Sequence, residues 1–546
     1  MLDDRSGLRR LERLFRSQAL SRRQFIAGLT ALGMSTTGIE LFAGSTPMPA
    51  EAQVPVAQYL CLIVLDAFRP DYMSLAPMPS LSALMQSGAS YDRAWVAQLE
   101  SETPTGHATI STGAVPRRDG LIGFEWRDPT TGQEVLDGWS KGVIAGNLER
   151  DLRQGGTSSI PLAVKADDPK AKVVALSSEK VYAADAMGGW AADYVLYHRR
   201  GTQNDLIPAA LPNHTPPADF FNHPNLQTHY PMHHFTDWDY LSAMLALAAI
   251  QQFKPKVLMV NMPGADVYGH PYGGPASPTI FKLVVGGLDR NIGRIVQAYK
   301  QAGIYEQTLF VITADHGMVP NDRFVAGSAT KQAVSRAGGQ YMFHTGGTCA
   351  DIYLHNPPAA PNVAKSVAGM RNVVAAYARD PVSFIYERAA VGKIDVVLDD
   401  VYRFLLDTFA GPTSPDVVAP FRENTIGSQV RSAHGDHGGL NWGAQHVPLI
   451  LSGPGVRSGT TSQFPARLVD IAPTVLRLLG LTAPGLDGIV LADALDAATA
   501  EEVSAQSVLT NTLTAYQDAL ITQSIDNIAQ DKKLGSLPPP SLPARP

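Results

Sequence analysis

Short apolar runs closed by turn residues recur along this chain, and stretches with helical spacing lie between them. The first is YLCLIVLD at 59–66; KVVAL follows at 172–176, KVLMVNM ends at Met262, TLFVIT begins at Thr308, and VPLILSG covers 447–453. Their β-branched residues and unbroken apolar character predict strands buried on both faces. A helix is predicted over 79–87, with Pro79 in its first turn and Gly88 as its terminator. Helical spacing returns from Trp238 to Gln252, and most clearly over 279–302, where Ile280, Val284, Leu288, Ile292 and Val296 recur at intervals of four. A later helix, Ala472 to Leu479, has Asp470 to cap it and Gly480 to end it. This alternation predicts an α/β fold: a mostly parallel central sheet with helices on both faces.

Two stretches break the rhythm. Residues 190–235 are rich in Pro, Asn and His and read as an irregular insertion; residues 320–430 mix helical and extended patterns and read as a cap over a site. The main domain then runs over 53–497, followed at 498–546 by an amphipathic helix and a Pro-rich tail expected to be disordered.

Candidate chemistry sits where the strands end. Asp66 closes the first run, Asp266 follows the third, and Asp315 with His316 follows the fourth. In open parallel sheets the carboxyl edge is where loops converge on ligands. Carboxylates with imidazoles suit a divalent cation, and His270 lies four residues after Asp266. Each signal alone is weak, because a DH pair or a DxxxH is common in surface turns. Thr103 precedes Pro104 in SETPTGHATISTG, a pattern that reads as a helix N-cap with proline at the first helical position. A hydroxyl there lies beside unpaired backbone N–H groups and the positive end of the helix dipole, so it suits either a nucleophile or a simple cap.

With 45% hydrophobic and 17% charged residues, the chain can bury a sizeable core and does not have a disordered composition. Residues 1–23 carry seven arginines, including Arg22 and Arg23, ahead of a mildly apolar stretch from Phe25 to about Ala43. Small residues around Ala50 and Ala52 then offer a cleavage site. The segment 1–52 resembles a twin-arginine export signal, which implies recognition by that export machinery and a periplasmic or secreted protein. An uncleaved anchor is the alternative, although the stretch is poorly apolar for a span, and no other segment matches one. Removal of the signal takes away seven basic and five acidic residues and moves the formal charge from −6 to −8. So acidic a protein, with no basic run, is not expected to bind nucleic acid duplexes, and its mature form is not expected to bind membrane. Cys61 lies inside the first strand and reads as a core residue, with a bridge to Cys349 the less favoured reading.

Six ordered segments, LIVLDAFRPDY, ETPTGHATISTG, NMPGADVYGH, VITADHGM, HGDHGGLNWGAQHVPLILSGPGV and LVDIAPTVLRLLGL, resemble the alkaline phosphatase superfamily, most closely its nucleotide pyrophosphatase/phosphodiesterase branch. The resemblance runs from about residue 58 to 495. It implies an alkaline phosphatase-like fold and two divalent metal ions, zinc by its histidines with manganese possible by its oxygen donors. Asp66, Thr103, Asp315 and His316 would surround one ion, and Asp266, His270 and His437 the other. His434 also precedes a glycine and is the alternative to His437, or a group orienting a ligand. The implied reaction is hydrolysis of a small phosphorylated substrate, a phosphomonoester or phosphodiester, through a covalent phosphothreonine at Thr103.

Two departures bear on substrate. Where the branch places a phosphate-binding asparagine this chain has Phe124, and where related monoesterases carry a KxR pair it has Lys180 and Tyr182. Lys180 could touch a non-bridging oxygen or be a solvated surface lysine, and Tyr182 could donate one hydrogen bond. Phe124 and Trp126 suit an apolar wall or the core. A sulfatase would carry CxPxR or SxPxR at the nucleophile, which is absent here. A phosphonate or phosphonoacetate hydrolase fits the ligands, and a silent phosphate-binding protein is a further alternative. His214, His223, His229, His233 and His234 lack ligand spacing and read as exposed loop residues.

Overall fold

The computed structural model describes residues 56–200, 205–226, 230–231, 237–389, 394–428 and 434–529; the segment expected to be an export signal and the Pro-rich tail lie outside them. A ten-stranded sheet is built from β1 (Tyr59–Leu65), β2 (Gly88–Tyr91), β3 (Val173–Ser177), β4 (Tyr194–Arg200), β5 (Asp205–Ala210), β6 (Tyr230–Pro231), β7 (Val257–Met262), β8 (Thr308–Thr313), β14 (Leu449–Ser452) and β15 (Thr460–Ser462). Its order is β15-β2-β14-β8-β1-β7-β3-β4-β5-β6. The apolar run of β1 lies at the centre, parallel to β8 on one side (Leu60↔Leu309) and to β7 on the other (Leu60↔Val257). All of its residues but Tyr59 are buried, as expected of a strand with helices on both faces.

A second sheet of five strands occupies the predicted cap region. It comprises β9 (Tyr341–Thr345), β10 (Cys349–Leu354), β11 (Tyr377–Arg379), β12 (Tyr386–Arg388) and β13 (Val417–Pro420). These pair antiparallel in the order β9-β10-β13-β11-β12, with a small apolar core of their own that includes Ile352, Val363, Val367 and Val417.

The helices that matter below are α1 (Pro79–Gln86), α2 (Thr103–Thr112), α3 (Asn147–Gly155), α4 (Val181–Gly188), α5 (Asp237–Phe253), α6 (Gly264–Tyr272), α7 (Pro278–Gln301), α8 (Val396–Asp407), α9 (Ile471–Leu478) and α10 (Ala500–Ala529). In α7 the buried stripe is Phe281, Val284, Val285, Leu288, Ile292, Ile295 and Tyr299, while Ile280 and Val296 are only half-buried. A run of four-residue steps drifts around a helix of 3.6 residues per turn, so the buried face takes steps of three and four in turn. The C-terminal helix α10 packs on α8 through Phe404 and Tyr516, and on the chain before α2 through Arg93, which donates to Gln517 and pairs with Asp518.

Several expectations change. The strand within VPLILSG, β14, runs antiparallel to β8 (Ile312↔Ile450), because the loop that precedes it already lies at the carboxyl edge of the sheet and the chain must descend from there. Residues 190–235 are not wholly irregular: β4 and β5 form an antiparallel extension of the sheet (Leu196↔Ala210). Pro208 within β5 and the polar residues of YVLYHRR hid that pair, and a proline is tolerated this close to a sheet edge. Gly88 does not terminate α1 but begins β2, where an added Cβ would meet the Leu451 carbonyl oxygen at 2.0 Å. Asp470 does not cap α9 with its side chain; the carboxylate receives the backbone N–H and guanidinium of Arg467 and the N–H of Ile489. Cys61 and Cys349 are both buried and unbridged.

Candidate active site

The carboxyl ends of β1, β7 and β8 lie side by side and deliver the acidic residues to one place. Asp66 directly follows β1, and its N–H donates to the Met262 carbonyl at the end of β7. Asp266 sits in the first turn of α6, which starts two residues after β7. Asp315 and His316 follow β8, and the Ala67 N–H donates to Asp315 Oδ1 at 3.2 Å. Helix α2 approaches this edge at Gly106, where an added Cβ would lie 2.6 Å from the Asp315 carbonyl oxygen. The close approach requires glycine.

Thr103 is the first residue of α2, and the N-cap is Glu102 in extended conformation, one position earlier than the sequence suggested. The Thr103 side chain makes no cap bond and is turned into the site. Its Oγ1 lies 3.2 Å from His316 Nε2 and 3.2 Å from Lys180 Nζ. Lys180 is buried, so the reading of a solvated surface lysine is set aside. Its ammonium donates to Asp66 Oδ1 at 2.9 Å and to Asp266 Oδ2 at 2.6 Å. Burial opposes that charge, yet Asp266 and Asp66 hold the lysine well above its usual range. Burial lifts Asp66 to about 7, with Asp315 adding to the rise and Lys180 opposing it. Burial also lifts Asp266, but Lys180 and His270 overcome it and leave that carboxylate well below its usual value.

The three histidines share one arrangement. His316 Nδ1 donates to the Gly317 carbonyl at 2.9 Å, His437 Nδ1 to Ser101 at 3.1 Å, and His270 Nδ1 to Gly435 at 3.1 Å. Each backbone carbonyl can only accept, so each Nδ1 carries the hydrogen and each Nε2 presents a lone pair whenever the ring is neutral. Those Nε2 atoms face carboxylates: His437 and His270 lie 3.2 and 3.4 Å from Asp266 Oδ1, and His316 lies 3.2 Å from Asp315 Oδ2. Burial pushes His316 down to about 3, which favours the neutral ring, whereas against burial Asp266 raises His270 to about 9 and lifts His437 as well.

This set fits divalent ions. Ligand atoms of Asp66, Asp315 and His316 lie within 4.8 Å of one another, as do those of Asp266, His316 and His437, and those of His270, Asp436 and His437. Asp266 Oδ1 and Asp315 Oδ2 are buried and make no well-formed hydrogen bond, only close contacts with imidazole nitrogens. Oxygen atoms so placed, among imidazoles held by their far nitrogen, are the donors zinc takes.

All seven sequence-derived ligand candidates therefore converge. His437 is buried in the site, while the His434 side chain is exposed and only its backbone takes part, donating to the His270 carbonyl. Asp436 was missed; its carboxylate lies 3.8 Å from His270 Nδ1. The turn joining β9 to β10 packs on this loop, for the Thr348 N–H donates to the His437 carbonyl. Beside Lys180, Phe124 meets the edge of Tyr182 at 5.0 Å and stacks on Trp139 at 4.3 Å. Trp139 is exposed and was also missed, whereas Trp126 is buried in the core. His214 is not an exposed loop residue: it is buried, 2.5 Å from Glu149. His223 is half-buried, and His229, His233 and His234 lie outside the described residues.

Comparison with known proteins adds a family. Residues 60–438 match the family described as type I phosphodiesterase / nucleotide pyrophosphatase. Alkaline phosphatase PhoD of Zymomonas mobilis is 24% identical over 304 residues, covering 46% of this chain and 52% of that protein. Bis(5'-adenosyl)-triphosphatase enpp4 of Xenopus laevis is 23% identical over 273 residues, covering 49% of each. The chain thus spans about half the length of these curated relatives. Among solved structures, wild-type alkaline phosphatase PafA superposes with a TM-score of 0.65 at 17% identity, over 81% of this chain and 99% of that one. Murine ectonucleotide pyrophosphatase / phosphodiesterase 5 gives 0.55 at 16% identity, over 79% and 97%. Both share the fold.

Proposed function

Because the chain belongs to the type I phosphodiesterase / nucleotide pyrophosphatase family, within the alkaline phosphatase superfamily, we propose that it hydrolyses phosphoric esters with Thr103 as nucleophile. The observation that carries this reading is the setting of the Thr103 hydroxyl, 3.2 Å from both Lys180 and His316 and beside two groups of carboxylates and imidazoles. Asp66, Thr103, Asp315 and His316 would hold one divalent ion, and Asp266, His270 and His437 a second, zinc by the imidazoles with manganese the alternative. Bound there, the ions supply positive charge for the phosphoryl oxygens and lower the barrier to an in-line displacement.

The chain's own groups do the rest. The Thr103 oxygen bonds to phosphorus as the bond to the leaving group breaks, and water then cleaves the phosphothreonine and restores the hydroxyl. Lys180 donates to a non-bridging oxygen during both displacements. Phe124, Tyr182 and Trp139 form a wall for an organic group on the phosphate. With Tyr182 where a second cation would stand, the singly charged phosphodiester suits the site better than the doubly charged monoester. The five-stranded sheet is the cap that closes this edge. The arginine-rich first 52 residues support passage through the twin-arginine machinery to the periplasm or the medium.

Thr103→Ala tests the reading. The variant is expected to keep its metal content and lose all turnover of aryl phosphates and diesters, and trapped wild-type enzyme should carry phosphate on Thr103. An active Thr103→Ala protein overturns the nucleophile. Turnover of phosphonoacetate alone, in the same panel, replaces the ester reading with the phosphonate one.

A further inference from the structure

We propose that His107 and Asn261 form a positioning chain that ties the first turn of α2 to the carboxylates of Asp315 and Asp66 and so aims the Thr103 hydroxyl, a role that rests on the hydrolase reading above. His107 lies one turn beyond Thr103 on α2 and is fully buried. Its Nδ1 lies 2.7 Å from the Thr103 carbonyl oxygen and 3.2 Å from Asp315 Oδ2. Its Nε2 lies 3.1 Å from Asn261 Oδ1. The Asn261 amide nitrogen donates to Asp66 Oδ2 at 3.0 Å and reaches Ser177 Oγ at 3.2 Å.

A carbonyl only accepts, so His107 Nδ1 donates to Thr103; the Asn261 nitrogen donates to Asp66, which leaves its oxygen facing His107 Nε2. Both ring nitrogens of His107 are thus engaged within the protein. This sets it apart from His270, His316 and His437, whose Nε2 atoms face the pocket. It does not take the place of a ligand but holds two of them, while its bond to the Thr103 carbonyl holds the peptide that carries the nucleophile. The close approach of Gly106 to the Asp315 backbone belongs to the same junction, leaving α2 little room to turn once the chain is formed.

Positions that orient metal ligands cost about 10- to 100-fold when lost. The expected result for His107→Ala and Asn261→Ala, measured on the diester that wild type turns over best, is a fall of that size in kcat with KM changed less than about twofold and metal content intact. Because the two side chains form one chain, the double variant should be no slower than the slower single variant. Added imidazole should restore part of the His107→Ala rate and none of the Asn261→Ala rate. Should His107→Ala fail to fold, His107→Gln keeps much of the volume but cannot bridge Thr103 and Asn261 together, and the same loss in kcat is expected. Full activity in either variant, losses that multiply in the double variant, or losses that follow lost metal each overturn the positioning role. The hydrolase reading falls separately, by wild-type protein that turns over no phosphoric ester.

Discussion

Lys180 stands between Asp66 and Asp266, whose other basic neighbours are histidines, and that placement sets its effect on stability. Removing one member of a buried charge group leaves the rest without compensation, at roughly 3 kcal/mol or more. Lys180→Met is therefore expected to lose about that much unfolding free energy in chelator, with the gap narrowing when zinc is restored and the carboxylates regain positive charge; denaturant titration with and without metal checks it. At this scale the sequence told much. Asp66, Asp266, Asp315 and His316 were readable because they end apolar runs or follow them closely, and His437 because its motif recurs in the family. Asp436, Asn261 and Trp139 were not: Asn261 lies within a strand pattern, and Trp139 meets Phe124 across a loop whose path no local pattern reports.

Helices bring these side chains together, and the tightest approach is the most sensitive. Gly106→Ala would place a methyl group 2.6 Å from the Asp315 carbonyl oxygen, so α2 must shift outward. Overpacking of this kind costs about 1–3 kcal/mol. The expected outcome is a lower melting temperature together with a fall in kcat, since Thr103 moves with the helix. A second junction lies away from the site, where Asp185 of α4 is buried with both oxygens unpartnered beside Glu149 of α3. Burial first, and Glu149 second, hold Asp185 well above its ordinary value of 3.8. The folded state thus keeps a proton that the unfolded chain releases, so this contribution is complete below about pH 4 and is lost as pH rises toward the folded value. Asp185→Asn has no such dependence. Relative to wild type, its stability should climb by roughly 1 kcal/mol per pH unit above pH 4, until Asp185 ionises in the fold; melting curves across pH 5 to 8 measure it. The elements themselves were largely readable from periodicity. The β4 and β5 pair was not, because edge strands take proline and polar residues that a buried strand excludes.

Across the whole molecule, the proposed ligands come from five separated segments gathered at one edge of the sheet, and ions that bound only the folded arrangement would stabilise all of it. At a free concentration about 100 times the dissociation constant the gain is about 2.7 kcal/mol. Chelation should lower the melting temperature of the entire described domain in a single transition, reversed by zinc; a transition unmoved by chelator would show that the donor groups hold no ion. The direction of β14 was the main topological surprise, and its cause is global: the cap sheet intervenes and returns the chain at the upper edge. The same return has a consequence for biosynthesis. His437 is the last of the proposed ligands to leave the ribosome, more than 360 residues after Asp66, and its loop is braced by the turn between β9 and β10. A nascent chain interrupted before that point would carry an incomplete donor set, so high-affinity loading with metal would have to wait until synthesis has passed residue 437.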